Sequence, residues 1–316
     1  MKKIIYRIVI FVVISFALLF VIGSFYFYHL AIDRNEKKFL QGNDDLEVSA
    51  EAMDVFTNGD WYEWRDRQTF QEMEIISFDE LKLRGYFLEA KEETNKVVMF
   101  AHGYLGHGKD MALFGEYYYE QLGYNIFTAD ARGHGTSEGD YIGFGWHDRL
   151  DYLRWIDEVI DQVGSDAEIV LHGLSMGAAT VLMVSGEELP SQVKAVVADS
   201  PYTSAYDLFA YQMKRMFSLP AFPLLDGTSI VTNVRADYSL KEASAIDQVR
   251  HAEVPILYIH GEADTFVPTA YSEQLFAETK SEKRLLTIEG ANHGEGFIIA
   301  EEHYKDYLKG FLDKYH

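Results

Sequence analysis

Three short stretches carry residue types able to do covalent chemistry. The first is His172-Gly173-Leu174-Ser175-Met176-Gly177, which follows Ile169-Val170-Leu171 and leads into Ala178-Ala179-Thr180-Val181-Leu182. It reads as a strand, a very tight turn and then a helix. Glycines two positions either side of Ser175 leave room for a bend that lifts the hydroxyl out of the sheet towards a reactant. A serine hydroxyl is a poor nucleophile until a base takes its proton and an acid orients that base. A histidine, His293, stands in Gly290-Ala291-Asn292-His293-Gly294-Glu295-Gly296, and an acid, Asp264, in His260-Gly261-Glu262-Ala263-Asp264-Thr265-Phe266-Val267-Pro268; both are turn-like segments after apolar runs. Such a set points to acyl transfer through a serine nucleophile. Asp199, at the end of another apolar run, is the rival acid.

Other reactive residue types read as structural. His102, His107, His134 and His172 lie in glycine-rich motifs without a tight metal-ligand spacing, and the chain has no cysteine. That composition excludes disulfides, thiolate metal sites, a cysteine nucleophile and a lipid-modified cysteine anchor, and no metal or organic cofactor is expected. Asp130 and Arg132 are expected to tie their loop to the domain, with Arg132 pairing Asp148 or Asp151. Glu262 and Ser137 read as ordinary turn residues.

The elements that must position these residues are legible as rhythm. Fully apolar runs at 97–101, 126–129, 169–171, 193–197, 256–259 and 285–288 alternate with helix-length segments such as 150–163, 269–279 and 301–314. Runs with no polar face require a sheet covered on both sides, so the predicted class is α/β with a mostly parallel, doubly wound sheet. Two earlier strands, 73–78 and 81–89, are expected to form a hairpin broken at Phe78-Asp79-Glu80. About fifty residues between Asp199 and Pro255, rich in aromatics and methionine, interrupt the rhythm. They are read as a helical cap, roughly 201–252, over the sheet's carboxyl edge, with most of its aromatics forming the cap's own core.

From about Phe70 to its end the chain resembles the α/β-hydrolases, and its motifs are similar to those of bacterial membrane-anchored cell-surface serine hydrolases of the esterase, lipase and serine-aminopeptidase-like group. The matching elements are His102-Gly103-Tyr104, Asp130-Ala131-Arg132-Gly133-His134-Gly135-Thr136-Ser137, the elbow at Ser175, Asp264 and His293, in that order. The resemblance implies a triad of Ser175, His293 and Asp264. It also implies an oxyanion hole from the backbone N–H groups of Met176 and Tyr104, with Gly103 permitting close approach and Leu105 as the substitute for Tyr104. Ester hydrolysis is the leading expectation; an amidase or aminopeptidase, or a surface-anchored binding protein without turnover, are the alternatives.

The N-terminus adds a location. Residues 8–28 carry no charge and end in Phe25-Tyr26-Phe27-Tyr28-His29, which reads as an uncleaved membrane anchor with an interfacial aromatic belt, a cleaved signal peptide being the alternative. The expected organisation is an anchor at 1–32, a stalk with a short helical segment at 33–69 and a catalytic domain at 70–316. Lys2, Lys3 and Arg7 precede the span while Arg34, Lys37 and Lys38 follow it, so the short leading segment decides for an N-terminus inside and an extracytoplasmic domain. With 50 acidic against 28 basic residues, a formal net charge of −22, the surface repels phosphate backbones and points away from nucleic acid. The expected partners are a small ester or amide and the membrane.

Overall fold

The computed structural model describes residues 2–35, 37, 54–55 and 59–316. Eight strands form one sheet in the order β1-β2-β4-β3-β5-β6-β7-β8. β1 (Gln71–Ile76) and β2 (Lys82–Leu88) make the expected hairpin, and β2 runs antiparallel to both neighbours. β3 (Lys96–Ala101), β4 (Asn125–Ala129), β5 (Glu168–Leu174), β6 (Val193–Asp199), β7 (Ile256–Gly261) and β8 (Lys283–Ile288) are parallel. The helices are α1 (Lys2–Ala31), α2 (Trp61–Arg67), α3 (Ala112–Tyr117), α4 (Asp148–Val163), α5 (Met176–Ser185), α6 (Ala205–Phe217), α7 (Leu224–Ala236), α8 (Ala245–Gln248), α9 (Ala270–Glu278), α10 (Gly296–Ile299) and α11 (Glu301–Tyr315).

The apolar runs are explained by which core each side chain enters. On β3, Val97 and Met99 join one apolar cluster and Val98 and Phe100 the other, all four fully buried. The first cluster holds α4 and α5 through residues such as Trp155, Ile156 and Leu182; the second holds α3 and α11 through Phe114, Tyr304 and Phe311. Because successive strand residues point to opposite faces, two covered faces leave no position for a polar side chain. α5 is buried along its whole length, which is why it is built of small and aliphatic residues. Emptying a site such as Trp155, 1% exposed, would cost about 3–5 kcal/mol.

Three of the helices, α6, α7 and α8, lie in the interval read as a cap. α6 and α8 start at the same local signal, a serine followed three residues later by an aspartate. Ser204 Oγ accepts from the Asp207 N–H at 3.0 Å and Ser244 Oγ from the Asp247 N–H at 3.3 Å, satisfying donors with no intrahelical partner.

α1 is long and apolar enough to cross a membrane. Its last turns, however, are part of the fold: Phe27, Tyr28 and Ile32 belong to the first core cluster. Asp33 bridges to Tyr141, and the Arg34 guanidinium donates to the carbonyls of Ser137 and Gly135 at 2.8 and 3.0 Å. The chain therefore leaves α1 already docked, and a free stalk does not begin at Asp33 as expected. Residues 36, 38–53 and 56–58 of that segment lie outside the described residues. α2 closes the segment by burying Trp61 and Trp64 against the second cluster, with the Trp64 indole N–H donating to Glu120 at 2.9 Å.

Candidate active site

Ser175 sits between β5 and α5 with φ 56° and ψ −113°, a conformation an L-residue holds only when its surroundings enforce it. Its N–H donates to the Asp199 carbonyl at 2.8 Å, and its own carbonyl accepts from the Ala179 N–H at 3.0 Å. The flanking glycines are obligatory. A Cβ on Gly177 would lie 1.9 Å from the Ala101 carbonyl oxygen, and one on Gly173 would lie 2.2 Å from the Gly177 carbonyl oxygen. Steric exclusion on both sides thus aims a single hydroxyl off the sheet's carboxyl edge.

That hydroxyl meets His293, whose Nε2 stands 2.8 Å from Ser175 Oγ, while its Nδ1 stands 2.7 Å from Asp264 Oδ2. The two loops that carry this pair are stitched together. Asn292 Oδ1 accepts from the N–H groups of Thr265 and His293, and a Cβ on Gly261 would collide with the Ala291 carbonyl at 2.2 Å. The other carboxylate oxygen of Asp264 accepts from the N–H groups of Phe266 and Val267 at 2.8 and 2.7 Å. Burial pushes the Asp264 carboxyl up, but the charge of His293 and the hydrogen bonds from His260 and His293 outweigh it, so the group stays ionised. Burial pushes His293 down, yet the Asp264 charge and hydrogen bond, helped by Asp199 and Glu295, carry its pKa above the ordinary imidazole value.

His260 is a member of this group that sequence reading passed over. It is fully buried, with Nε2 3.1 Å from Asp264 Oδ2 and 2.9 Å from the Val267 carbonyl, and Nδ1 2.6 Å from Ser272 Oγ. An Nε2–H tautomer that accepts from Ser272 fits these contacts and holds the carboxylate from behind. The only signal in the sequence was its place four residues before Asp264 at the end of an apolar run.

The N–H of Met176 is the first of α5, where no intrahelical acceptor exists and the helix dipole favours negative charge. On the loop after β3, Leu105 has φ 66° and its N–H donates to His134 Nε2 at 3.4 Å, so it is already engaged. Gly103 is less constrained than expected: a Cβ there would make ordinary 3.6 Å contacts with Leu174 and Ser175. The Tyr104 hydroxyl donates to the Ala31 carbonyl at 2.7 Å, linking this loop to the end of α1.

The chain is similar to several known proteins. Residues 92–225 match the serine aminopeptidase family S33. Over 254 residues the chain is 26% identical to the Bacillus subtilis protein YqkD, covering 78% of this chain and 82% of that one. It resembles the Pyrococcus furiosus esterase Pf2001 with a TM-score of 0.61 at 24% identity, over 78% of this chain and 93% of the other. The acylaminoacyl peptidase of Pyrococcus horikoshii gives a TM-score of 0.58 at 19% identity, over 81% and 43% of the two chains. The chain has the α/β-hydrolase fold.

The remaining polar residues around the site hold its loops. Asp199 is fully buried and accepts from Ser200 Oγ and the Tyr304 hydroxyl at 2.9 and 3.0 Å, and burial raises its pKa. His293 turns its Nδ1 to Asp264 instead. Arg132 makes a two-pronged ion pair with Asp151 at 2.7 and 2.8 Å and a second pair with Asp79 at 2.9 Å. Of the two expected partners, Asp148 is not used; it accepts from the Gly145 N–H, and the hairpin's Asp79 takes the other half of the guanidinium. Asp130 accepts from Gly108, Thr136 and Tyr86, and Ser137 Oγ donates to the Asp130 carbonyl. Glu262 is exposed and accepts from Thr287. Burial drives His102 and His134 to about 4 and His172 to about 3, so all three are neutral. His107 is half-exposed beside Asp110. Among the described residues no cluster of three or more histidines and carboxylates is placed to hold a metal ion.

Ser175, Met176 and Tyr104 open into an apolar pocket. Tyr202, Phe209, Met213, Met216 and Phe217 of the cap line it, Tyr202 and Met213 being core residues as well. The opposite wall is the end of α1: Phe27, Leu30, Ala31 and Ile32. Among the described residues the lining includes no aspartate, glutamate, lysine or arginine.

Proposed function

We propose that this α/β-hydrolase cleaves carboxylic esters through a Ser175-His293-Asp264 triad. The observation that carries the reading is His293, within hydrogen-bond reach of both Ser175 Oγ and Asp264 Oδ2. Ser175 Oγ attacks the ester carbonyl carbon as its proton passes to His293 Nε2. The carbonyl oxygen takes the negative charge, facing the N–H groups of Met176 and Tyr104. The tetrahedral centre collapses, the bond to the leaving alcohol breaks, and His293 returns the proton to that oxygen. Water then attacks the acyl-enzyme with His293 as base, releasing the carboxylic acid and restoring the serine. Throughout, Asp264 accepts from His293 Nδ1–H and fixes the tautomer.

The apolar lining favours an ester with a hydrocarbon acyl part. A peptidase reading has the match to the serine aminopeptidase family and the likeness to an acylaminoacyl peptidase behind it. It needs a charged group to hold a peptide terminus, and the cap's candidates for that task, Lys214, Arg215 and Arg235, are not among the described lining residues. On this reading α1 is a retained single-pass anchor, because cutting it away would take Phe27 and Tyr28 out of the core and remove Phe27, Leu30 and Ala31 from the pocket lining. The N-terminus is inside and the catalytic domain, 70–316 with its cap at 201–252, is extracytoplasmic; protease shaving of intact cells should release it.

The direct test is a panel of p-nitrophenyl esters of rising chain length beside aminoacyl anilides, run on the full chain and on Ser175→Ala. Ester turnover that vanishes in the variant is the expected result. Faster anilide turnover would transfer the assignment to a peptidase, and no turnover of either by wild type would favour a binding protein.

A further inference from the structure

The pocket's wall and the membrane span are one helix, and its register along the bilayer can be read from its uncharged run. At 1.5 Å per residue the uncharged stretch that opens at Ile8 reaches Phe27 after about 28 Å, close to the hydrocarbon thickness of about 30 Å. Phe27 therefore stands where the hydrocarbon meets the lipid headgroups. Phe27 is also a pocket residue, and its ring packs edge-to-face on Phe217 at 5.3 Å. Phe217 is 37% exposed, so this pair joins the inside of the pocket to the surface at that level.

A second observation places the cap there. α7 lies against α1 at a contact so close that a Cβ on Gly227 would stand 2.1 Å from Ser24 Oγ and 2.6 Å from the Phe20 ring. The outer side of this pair exposes Ile230 at 63% and Val234 at 79%, next to Phe25 at 46%, with Phe222 at 74% on the loop before α7. A soluble domain has no use for four large apolar side chains standing out beside a membrane span, whereas a helix resting in the interfacial layer does.

Resting on the ester reading and on α1 as an anchor, we propose that α7 sits in the headgroup layer and that the pocket is loaded from the leaflet past Phe27 and Phe217. The substrate class is a single-chain lipid ester, its acyl chain lying against α1 and its carbonyl at Ser175. The enzyme draws its substrate from the membrane that holds it, and water-soluble short esters reach the same serine without that help.

The full chain, reconstituted in phosphatidylcholine vesicles, is assayed on monopalmitoylglycerol dissolved in the bilayer and on p-nitrophenyl butyrate in water. In Ile230→Glu/Val234→Glu, two exposed positions outside the pocket, turnover of the bilayer ester should fall about tenfold or more while butyrate turnover stays within about twofold. Equal turnover of the bilayer ester by variant and wild type, or an equal fall on both substrates, overturns the proposal. A depth measurement independent of turnover uses Val234→Trp in vesicles of brominated phosphatidylcholine. Quenching of the added fluorescence is expected, and an unquenched signal overturns the placement of α7. If wild type cleaves neither ester, the ester reading fails, and quenching then reports separately on the cap.

Discussion

The floor and the roof of the pocket are built by different physics. The floor is the elbow and the two loops behind it, where glycines at 173, 177 and 261 are required by backbone atoms about 2 Å from any added Cβ. The roof is α6, α7 and the end of α1, where rings and methionines meet over an apolar space and Phe217 remains partly exposed. A floor fixed by backbone sterics tolerates almost no change. A roof made of apolar contacts between segments some two hundred residues apart can vary in shape and still close. Chemistry is therefore assigned to the rigid part and substrate choice to the adaptable one.

The largest expected difference is within the floor. Asp264→Asn should lower kcat by about 10³–10⁴-fold through loss of the correct histidine tautomer, while Asp199→Asn stays within about tenfold, measured as steady-state ester hydrolysis. Equal losses would mean that the acid's role is shared. Next, Gly177→Ala should cost about 3 kcal/mol by overpacking against the Ala101 carbonyl, whereas Phe217→Ala in the roof should cost about 1 kcal/mol, both read from denaturant midpoints. A reversed order would erase the contrast between the two regions.

How much was legible follows the same division. The elbow, Asp264 and His293 could be read because tight turns after apolar strands leave local marks: paired glycines, a proline, an asparagine. The mostly parallel sheet followed from runs with no polar face, and the hairpin from the break at Phe78-Asp79-Glu80 between two short runs. Asp79 as the partner of Arg132, and His260 behind Asp264, were not legible, since each contact joins residues whose types are ordinary for a turn and a buried strand. Least legible of all was α1. A membrane-length apolar run says that a helix can span a bilayer; nothing in its periodicity says that its last turns will wall a pocket.

Smaller effects sharpen the comparison. The base must be neutral to accept the serine proton, and the charge of Asp264 raises its pKa, so the acid limb of kcat/KM should fall above the ordinary histidine value of about 6.5. Activity is present above that limb and lost as pH falls through it. In Asp264→Asn the residual activity should keep its limb at lower pH, because the negative charge that held the proton is gone; an unmoved limb would assign it to another group. Tyr104→Phe, which removes the hydrogen bond from the loop after β3 to the end of α1, should slow turnover by about fivefold, matching the roughly 1 kcal/mol of such a bond. An unchanged rate would show that the roof does not steady the floor.

The central claim, that Ser175 is the activated nucleophile, is tested most directly by treating the full chain with a fluorophosphonate and mapping the modified peptide by mass spectrometry. A single phosphonyl adduct on Ser175, absent from Ser175→Ala, is the predicted result. An unlabelled wild type, or label that persists in the variant, would contradict it.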